Sequence, residues 1–325
     1  MSTRTSAALT FAEKCRVTYC CLCFPTHSSA MMISLFQSIL ASNWEAHLHT
    51  IKGELNGSKD IYKSKVKYIM RKGEPYLWIP ENDMHNLNVM FDERCSLAIA
   101  SPYPGALGKL LKVMNKFPAR VALTGELVRL SDQKAQTVAD SLKEIIRYEE
   151  RMIRESDYAV STLLSTSDTA HISRGCLKEL ADAAEGYSIY KFNMSGCTLI
   201  DGHGCSHEVG VKDIGTGEED QLAFFSAKLI DCVNRDAARR RALILFCLVY
   251  MNEGVRDALI YSLDRKGFDL LGKVPTSLQD CATFQWKEFR FLFSDCAIDV
   301  KGFAEQLIKM EEGLVAKITQ YSGLS

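Results

Sequence analysis

The densest group of side chains able to do chemistry lies between Asp201 and His207, in the string Asp-Gly-His-Gly-Cys-Ser-His. If the string is extended, its alternate residues share one face, and these are Asp201, His203, Cys205 and His207. All four types can bind zinc or iron. Alternate side chains stand roughly 6.5 to 7 Å apart, so at most two could reach one ion. Two interpretations stay open: a polar barrel strand, and a metal or haem site that uses His203 and His207 with help from elsewhere.

His85 is a second candidate, because it lies beside Asn86 near the start of a short predicted helix. A lone histidine in such a place is more often structural than catalytic. Helix N-termini nevertheless bind phosphate through free N–H groups, so the position would also suit a nucleotide-like cofactor. Lys63, Lys65 and Lys67 share one face of the preceding predicted strand. They could supply positive charge there or simply face solvent.

Composition and missing motifs exclude several classes of function. The sequence has no G-x-S-x-G, Walker loop, Rossmann glycine fingerprint or H-E-x-x-H. A net charge of -1 gives no support for a dedicated nucleic-acid binder. The longest apolar run, residues 242–251, is shorter than the roughly 18 to 20 residues of a membrane span. Twelve cysteines with one C-x-x-C spacing, at Cys20 and Cys23, fit free thiols in a reducing compartment.

The strand that organises the predicted fold is residues 117–131, which alternates apolar and polar side chains. Gly125 predicts a bend there, as at the corner of a barrel, and Ser131 predicts the start of a helix to about residue 152. The other predicted strands are residues 62–70, 76–79, 95–100, 187–194, 197–209, 258–263, 268–274 and 288–293. The other predicted helices are residues 32–51, about 83–91, 174–184, 221–252 with a break near Asn234, and 300–318. Residues 156–172 and the Ser195-Gly196 pair are predicted loops, and residues 71–75 are a predicted turn. Asn82 or Asp83 is the predicted cap of the short helix that ends at residue 91.

A glycine-rich, acidic stretch over residues 210–219 predicts the domain boundary. We expect an N-terminal extension over residues 1–57, a barrel domain over residues 58–212 and a C-terminal α+β domain over residues 218–325. The first 30 or so residues are hydroxylated, basic and poor in acids, which is typical of an organelle transit peptide. Chloroplast targeting is therefore expected, with a mitochondrial or cytoplasmic location as the alternative.

Several strings resemble the FMN-binding split barrel of the pyridoxamine 5'-phosphate oxidase-like superfamily. They are Met-His-Asn-Leu-Asn at residues 84–88, Arg-Cys-Ser-Leu-Ala-Ile-Ala at residues 94–100, the strand of residues 117–131, and the hairpin that begins at residues 187–192. Residues 263–269 and 289–293 are similar to the small C-terminal domain of the haem-utilisation and plant glutamyl-tRNA reductase-binding type. The resemblance covers about residues 62–318. It implies an α+β fold, a split β-barrel with flanking helices followed by a C-terminal α+β domain.

The resemblance also implies a cofactor, FMN or haem, and a homodimer with its ligand cleft between two barrels. The residues that would line the phosphate end of the cleft are Ser64, Lys65, His85 and Asn86. His203 or His207 would be an axial ligand or an acid–base group. Residues 52–63 show no counterpart of the family's first barrel strand.

Two departures from the family pattern bear on function. Leu87 stands where flavin-binding members carry a basic phosphate ligand, and Ala237 stands where the C-terminal signature Asn-x-Asp-His has its histidine. Both departures favour a non-enzymatic binding or regulatory protein with a protein partner in plastid tetrapyrrole synthesis. The alternative is an FMN- or haem-dependent oxidoreductase of the same superfamily.

Overall fold

A computed structural model describes residues 29–52, 60–101, 103, 105–155, 180–181, 186–202, 204–214, 221–276 and 283–322. The chain divides into two compact units between Ala227 and Lys228. Each unit has its own antiparallel sheet. Among the described residues, no helix has the length and apolar character needed to cross a membrane.

The elements follow one another along the chain in a mixed order of helices and strands. They are α1 (Ser29–Ala41), β1 (Glu45–Ile51), β2 (Ile61–Arg71), β3 (Glu74–Pro80), α2 (Met84–Phe91), β4 (Arg94–Ala100), α3 (Gly105–Val113), β5 (Arg120–Arg129), α4 (Asp132–Glu155), β6 (Tyr187–Ile200), β7 (Ser206–Val209), α5 (Val211–Ile214), α6 (Gln221–Arg235), α7 (Ala237–Met251), β8 (Ala258–Asp264), β9 (Gly267–Pro275), β10 (Phe284–Leu292) and α8 (Val300–Ser322).

The first unit is a closed antiparallel barrel, which confirms the predicted fold class. Its strand order is β3-β2-β1-β4-β5-β6-β7, and β3 also pairs with β6. Side chains alternate across the wall, so the inward positions of every strand form one apolar core. Helix α1 contributes Phe36, Ile39 and Leu40 to that core, and α4 covers part of the outside around Ile69 and Trp78.

Several sequence predictions are confirmed in detail. The β2–β3 hairpin turns at Lys72 and Gly73, which both have positive φ. Asp83 caps the short helix α2. Strand β5 carries a register shift between Thr124 and Gly125, where the bend was predicted. The long helical stretch breaks at Asp236, close to the predicted position near Asn234, into α6 and α7.

The prediction of one helix over residues 32–51 is wrong. Helix α1 ends at Ala41, and Glu45–Ile51 form β1, which pairs with β2 and β4. The heptapeptide Glu-Ala-His-Leu-His-Thr-Ile alternates with period two, and its even positions are buried in the barrel. The first barrel strand is therefore present, and the barrel begins before residue 58.

A second correction concerns residues 187–209. The predicted break at Ser195-Gly196 lies inside the single strand β6. Thr124 pairs with Gly196 and Gly125 with Met194, so Ser195 is the extra residue of a β-bulge. The hairpin turn comes later, between the end of β6 at Ile200 and the start of β7 at Ser206. The predicted loop at residues 156–172 lies outside the described residues, as does most of the predicted helix at residues 174–184.

The second unit contains the three-stranded sheet β10-β9-β8 and helices α7 and α8. Phe268 and Phe291 stack in its core with ring centroids 5.4 Å apart. The Asn234 side chain donates to the Ile260 carbonyl oxygen and accepts from the Ile260 N–H, both at 2.8 Å. This pair of bonds fixes the end of α6 against β8.

Candidate functional site

One side of the barrel wall, which we call the outer face, combines histidines, lysines and small side chains. It is the outward side of β2, β1, β4 and β5, and it is lined by Lys63, Lys65, His47, His49, Ser96, Ala98, Ala122 and Thr124. The residues that alternate with these on the same strands point into the barrel core. The two histidines are two residues apart on β1 and so lie side by side on this face.

Strand register places each histidine between a lysine of β2 and a small residue of β4. The sets are His47 with Lys65 and Ala98, and His49 with Lys63 and Ser96. Directly opposite residues in antiparallel strands have Cβ atoms about 4.5 to 5.5 Å apart. The outer face is thus a shallow floor of small side chains with two imidazoles in the middle and ammonium groups along one edge.

The electrostatics of the outer face keep His47 neutral. Burial lowers the pKa of the His47 ring, and the positive charges of Lys63 and Lys65 lower it further, against the opposing effect of Glu45. A neutral imidazole is the form that binds a metal. The Nδ1 atom of His49 is buried and has no hydrogen-bond partner. The fold therefore leaves a polar atom of the second ring unused.

His85 lies on the opposite side of the wall, inside the barrel, and is fully buried. Its Nδ1 is 2.8 Å from Thr50 Oγ1 and its Nε2 is 3.0 Å from Ser64 Oγ. The Tyr62 ring packs edge-on against the His85 ring, with the two ring centroids 4.7 Å apart. Burial lowers the pKa of His85 to about 4, although the nearby Asp83 carboxylate raises it. The ring is therefore uncharged at neutral pH.

The polar atoms around the start of α2 are already used by the protein. Asp83 accepts the His85 N–H at 2.9 Å, and its second oxygen lies 3.5 Å from Ser64 Oγ. The Asn86 amide donates to the Pro80 carbonyl oxygen at 2.7 Å. An Asp carboxylate at a helix N-terminus takes the place that an anionic ligand would occupy. The residues present at this position do not fit an FMN phosphate.

Lys65 is separated from the other three residues that were expected at the phosphate end of a cleft. The structure brings Ser64, His85 and Asn86 together near the start of α2. Lys65 alternates with Ser64 along β2, lies on the outer face and forms a 3.5 Å ion pair with Glu45. These four residues consequently do not converge on one ligand.

Asp201, Gly202, Gly204 and Cys205 belong to the turn between β6 and β7, and only Ser206 and His207 of this string are in an extended strand. Asp201 accepts the Cys205 N–H through its side chain, and Gly204 has a φ of +88°. His207 lies on β7 opposite Leu199, away from the outer face, and its Nε2 is 3.2 Å from Asp201 Oδ2. His203 lies outside the described residues. The part of the chain that the structure describes contains no group of three or more potential metal ligands.

Sequence reasoning missed His47 and His49 because they fell inside a predicted helix. The signal that could have found them is the alternation of Ala46 and Leu48 with the two histidines, followed by the β-branched Thr50 and Ile51. Once the segment is a strand, both histidines necessarily share the face that β2 extends with its lysines.

Comparison with solved structures identifies the fold. The structure of a haem-binding protein from Mycobacterium smegmatis matches with a TM-score of 0.52 and 19% identity, over 91% of this chain and 100% of that one. The chain has the split-barrel fold. A pyridoxinephosphate oxidase family protein from Clostridium acetobutylicum, related to general stress protein 26, matches with a TM-score of 0.35 and 12% identity, over 58% of this chain and 99% of that one. An FAD-binding protein from Mesorhizobium loti matches with a TM-score of 0.30 and 9% identity, over 50% of this chain and 88% of that one.

Sequence comparison adds no closer assignment. No protein-family model matches the chain, and no curated protein matches it. The structural likeness to the haem-binding protein supports the expected split-barrel fold. At these identities it carries the fold alone, and function has to be argued from the site.

Proposed function

We propose that this chain is a haem-binding protein and that the outer face of its barrel is the site. The observation that carries the proposal is the placement of His47 and His49 side by side on a half-buried wall of small residues. Support also comes from the haem-binding protein whose fold this chain resembles over 91% of its length.

The chemistry of the outer face suits haem better than it suits FMN. Side chains as small as Ser96, Ala98 and Ala122 leave room for a flat macrocycle against the strands. Lys63 and Lys65 could pair with its two propionates. His47 or His49 could ligate the iron as a neutral imidazole. When bound, haem would supply a redox-active, ligand-binding iron at this face.

We further propose a binding or regulatory role in plastid tetrapyrrole metabolism rather than catalysis. At the two positions where the family pattern carries a base and a histidine, Leu87 is an exposed apolar residue and Ala237 begins α7 behind the Asp236 cap. Neither can serve as a phosphate ligand or proton carrier. The composition of the first 30 residues supports delivery to a plastid.

Titration of the full chain with haemin and, separately, with FMN tests the proposal by absorbance. We expect saturable haemin binding with a Kd of about 1 µM or tighter, and no saturation by FMN in that range. The double variant His47→Ala/His49→Ala should bind haemin at least about tenfold more weakly and lose the shifted Soret band. His207→Ala is the matched control and should leave both unchanged.

Other outcomes would redirect the assignment. A Soret shift that survives the double variant and disappears in His207→Ala would place the haem at the Asp201–His207 turn. Tight FMN binding would favour the flavin oxidoreductase alternative. Steady loss of bound haem absorbance under ascorbate and oxygen would favour a haem-dependent oxidoreductase over a binding protein.

A further inference from the structure

A cavity of about 330 Å³ lies beside helix α3, and none of the residues that line it belongs to the outer face. Three lysines line it, Lys109 and Lys112 from α3 and Lys116 from the segment that follows. No acidic residue is among the described residues around it. In the described part of the chain, Lys109 and Lys112 have no ion-pair partner. Lys109 and Lys112 therefore place two positive charges at the edge of a mostly apolar cavity.

The turn at the end of α3 determines the position of Lys116 relative to Lys109 and Lys112. Asn115 adopts a left-handed conformation with a φ of +54°. Its N–H donates to the Lys112 carbonyl oxygen at 3.1 Å, and the Lys116 N–H donates to the Leu111 carbonyl oxygen at 2.9 Å. These two bonds form a Schellman motif, which turns the chain back on the helix. Lys116 is thereby returned to the same cavity as Lys109 and Lys112.

The remaining walls define what kind of anion would fit. Ser101 and Tyr103 also line the cavity, and Leu111 and Pro118 contribute apolar surface. Ammonium groups bind phosphate well as point charges, whereas planar carboxylates are matched better by arginine. The two positive charges of Lys109 and Lys112 outweigh the roughly half negative charge at the C-terminus of the helix. The volume lies at the small end of the range for small-molecule pockets, about 300 to 1,000 Å³.

We propose that this cavity binds the phosphate group of a phosphate monoester with a small apolar body. Lys109 and Lys112 would hold the phosphate, and the apolar walls would contact the organic part. The phosphate could belong to a soluble metabolite or to a lipid headgroup, because Val113 and Phe117 beside the lysines are exposed apolar residues. The site is independent of the haem proposal.

Calorimetric titration of the full chain tests the site with three probes: phenyl phosphate, inorganic phosphate and benzoate. We expect phenyl phosphate to saturate with a Kd below about 1 mM. Inorganic phosphate, which lacks the apolar body, should bind about tenfold more weakly. Benzoate, which has the ring but only one negative charge, should also bind about tenfold more weakly.

The double variant Lys109→Gln/Lys112→Gln should weaken phenyl phosphate binding at least about tenfold while its unfolding temperature and haemin affinity stay at the parent values. Lys134→Gln, an exposed lysine on α4, is the matched control and should change nothing. Co-sedimentation with phosphatidic acid vesicles separates the two sources of phosphate. Vesicle binding that the double variant abolishes assigns the site to a headgroup.

Three results would overturn the proposal. The first is the absence of saturable binding of phenyl phosphate and of vesicles. The second is equal affinity of the parent and the double variant for whichever probe binds. The third is benzoate binding as tightly as phenyl phosphate, which would show that the cavity does not select phosphate.

Discussion

His85 joins secondary-structure elements through a directional chain of hydrogen bonds. Asn88 donates to Thr50 Oγ1 at 2.9 Å, and the Thr50 hydroxyl lies 2.8 Å from His85 Nδ1. If Thr50 donates to Nδ1, His85 carries its proton on Nε2 and donates to Ser64 Oγ. The neutral ring can therefore satisfy both neighbours at once. A protonated ring could not accept the Thr50 proton, and it would place a charge in the core.

We predict that protonation of His85 destabilises the fold in mild acid. The folded-state pKa is about 4 and an unfolded histidine titrates near 6.5, so the unfolded chain binds the extra proton between these values. The contribution of neutral His85 to the free energy of unfolding is fully present well above pH 6.5, and it is lost as the pH falls towards 4. Between pH 7.5 and pH 5 the loss should be about 2 kcal/mol, measured by urea unfolding. His85→Gln should be less stable at pH 7.5 yet lose about 2 kcal/mol less on acidification; equal losses would contradict the assignment.

The residue types in the sequence indicated which side chains could belong to a functional site, but they did not show where those side chains lie in the fold. His85 and Ser64 were correctly grouped near one helix start, yet nothing in the string showed that Asp83 occupies the position of an anion. Lys65 was grouped with Ser64 although neighbouring strand residues face opposite ways. The outer-face histidines were invisible because their neighbours Trp44 and Leu48 also fit a helical spacing. Burial and partner identity depend on strand pairing, which single residues do not encode.

At the scale of elements, the bend in β5 depends on Gly125. A Cβ at this position would meet the carbonyl oxygen of Asn193 and lie 3.0 Å from the Phe192 ring. We expect Gly125→Ala to lower the free energy of unfolding by about 3 kcal/mol, because strand backbone in a closed barrel cannot move aside. Gly186→Ala, where no atom lies within 4 Å, is the control. Thermal unfolding that is unchanged in Gly125→Ala would contradict this account.

Element boundaries were predictable where a local signal agreed with the tertiary fold. The β2–β3 turn, the Asp83 cap and the break at Asp236 all carry such signals. Ser195-Gly196 looked like a hairpin turn, because bulges and turns use the same small residues. Only pairing with β5 shows that the strand continues through it to Ile200. A short sequence motif cannot distinguish a β-bulge, which adds one residue within a pair of strands, from a turn that ends the pairing of those strands.

At the scale of the molecule, the sequence predicted a barrel followed by an α+β domain, and the structure has both. The division at Ala227 falls inside α6, whereas composition pointed to residues 210–219. Because the division falls inside a helix, the sequence there has no glycine-rich or polar stretch that would indicate a domain boundary. The N-terminal limit was hidden for a related reason: β1 is separated from β2 by residues 52–60, whose glycines and polar residues look like a linker.

We predict that the chain is a homodimer in which the outer faces of two barrels lie opposite each other and enclose the proposed haem site. The central positions of this face, Ala98 and Ala122, are small and half-buried, and no long side chain there would hold a second barrel away. Light scattering of the full chain should give twice the 36.4 kDa chain mass. Ala122→Glu places an unpaired carboxylate in the centre of the interface and should give monomers that also bind haemin poorly. Thr137→Glu, on the exposed surface of α4, adds the same charge and should remain dimeric. A parent that is monomeric at all concentrations, or a dimeric Ala122→Glu, would move the interface elsewhere.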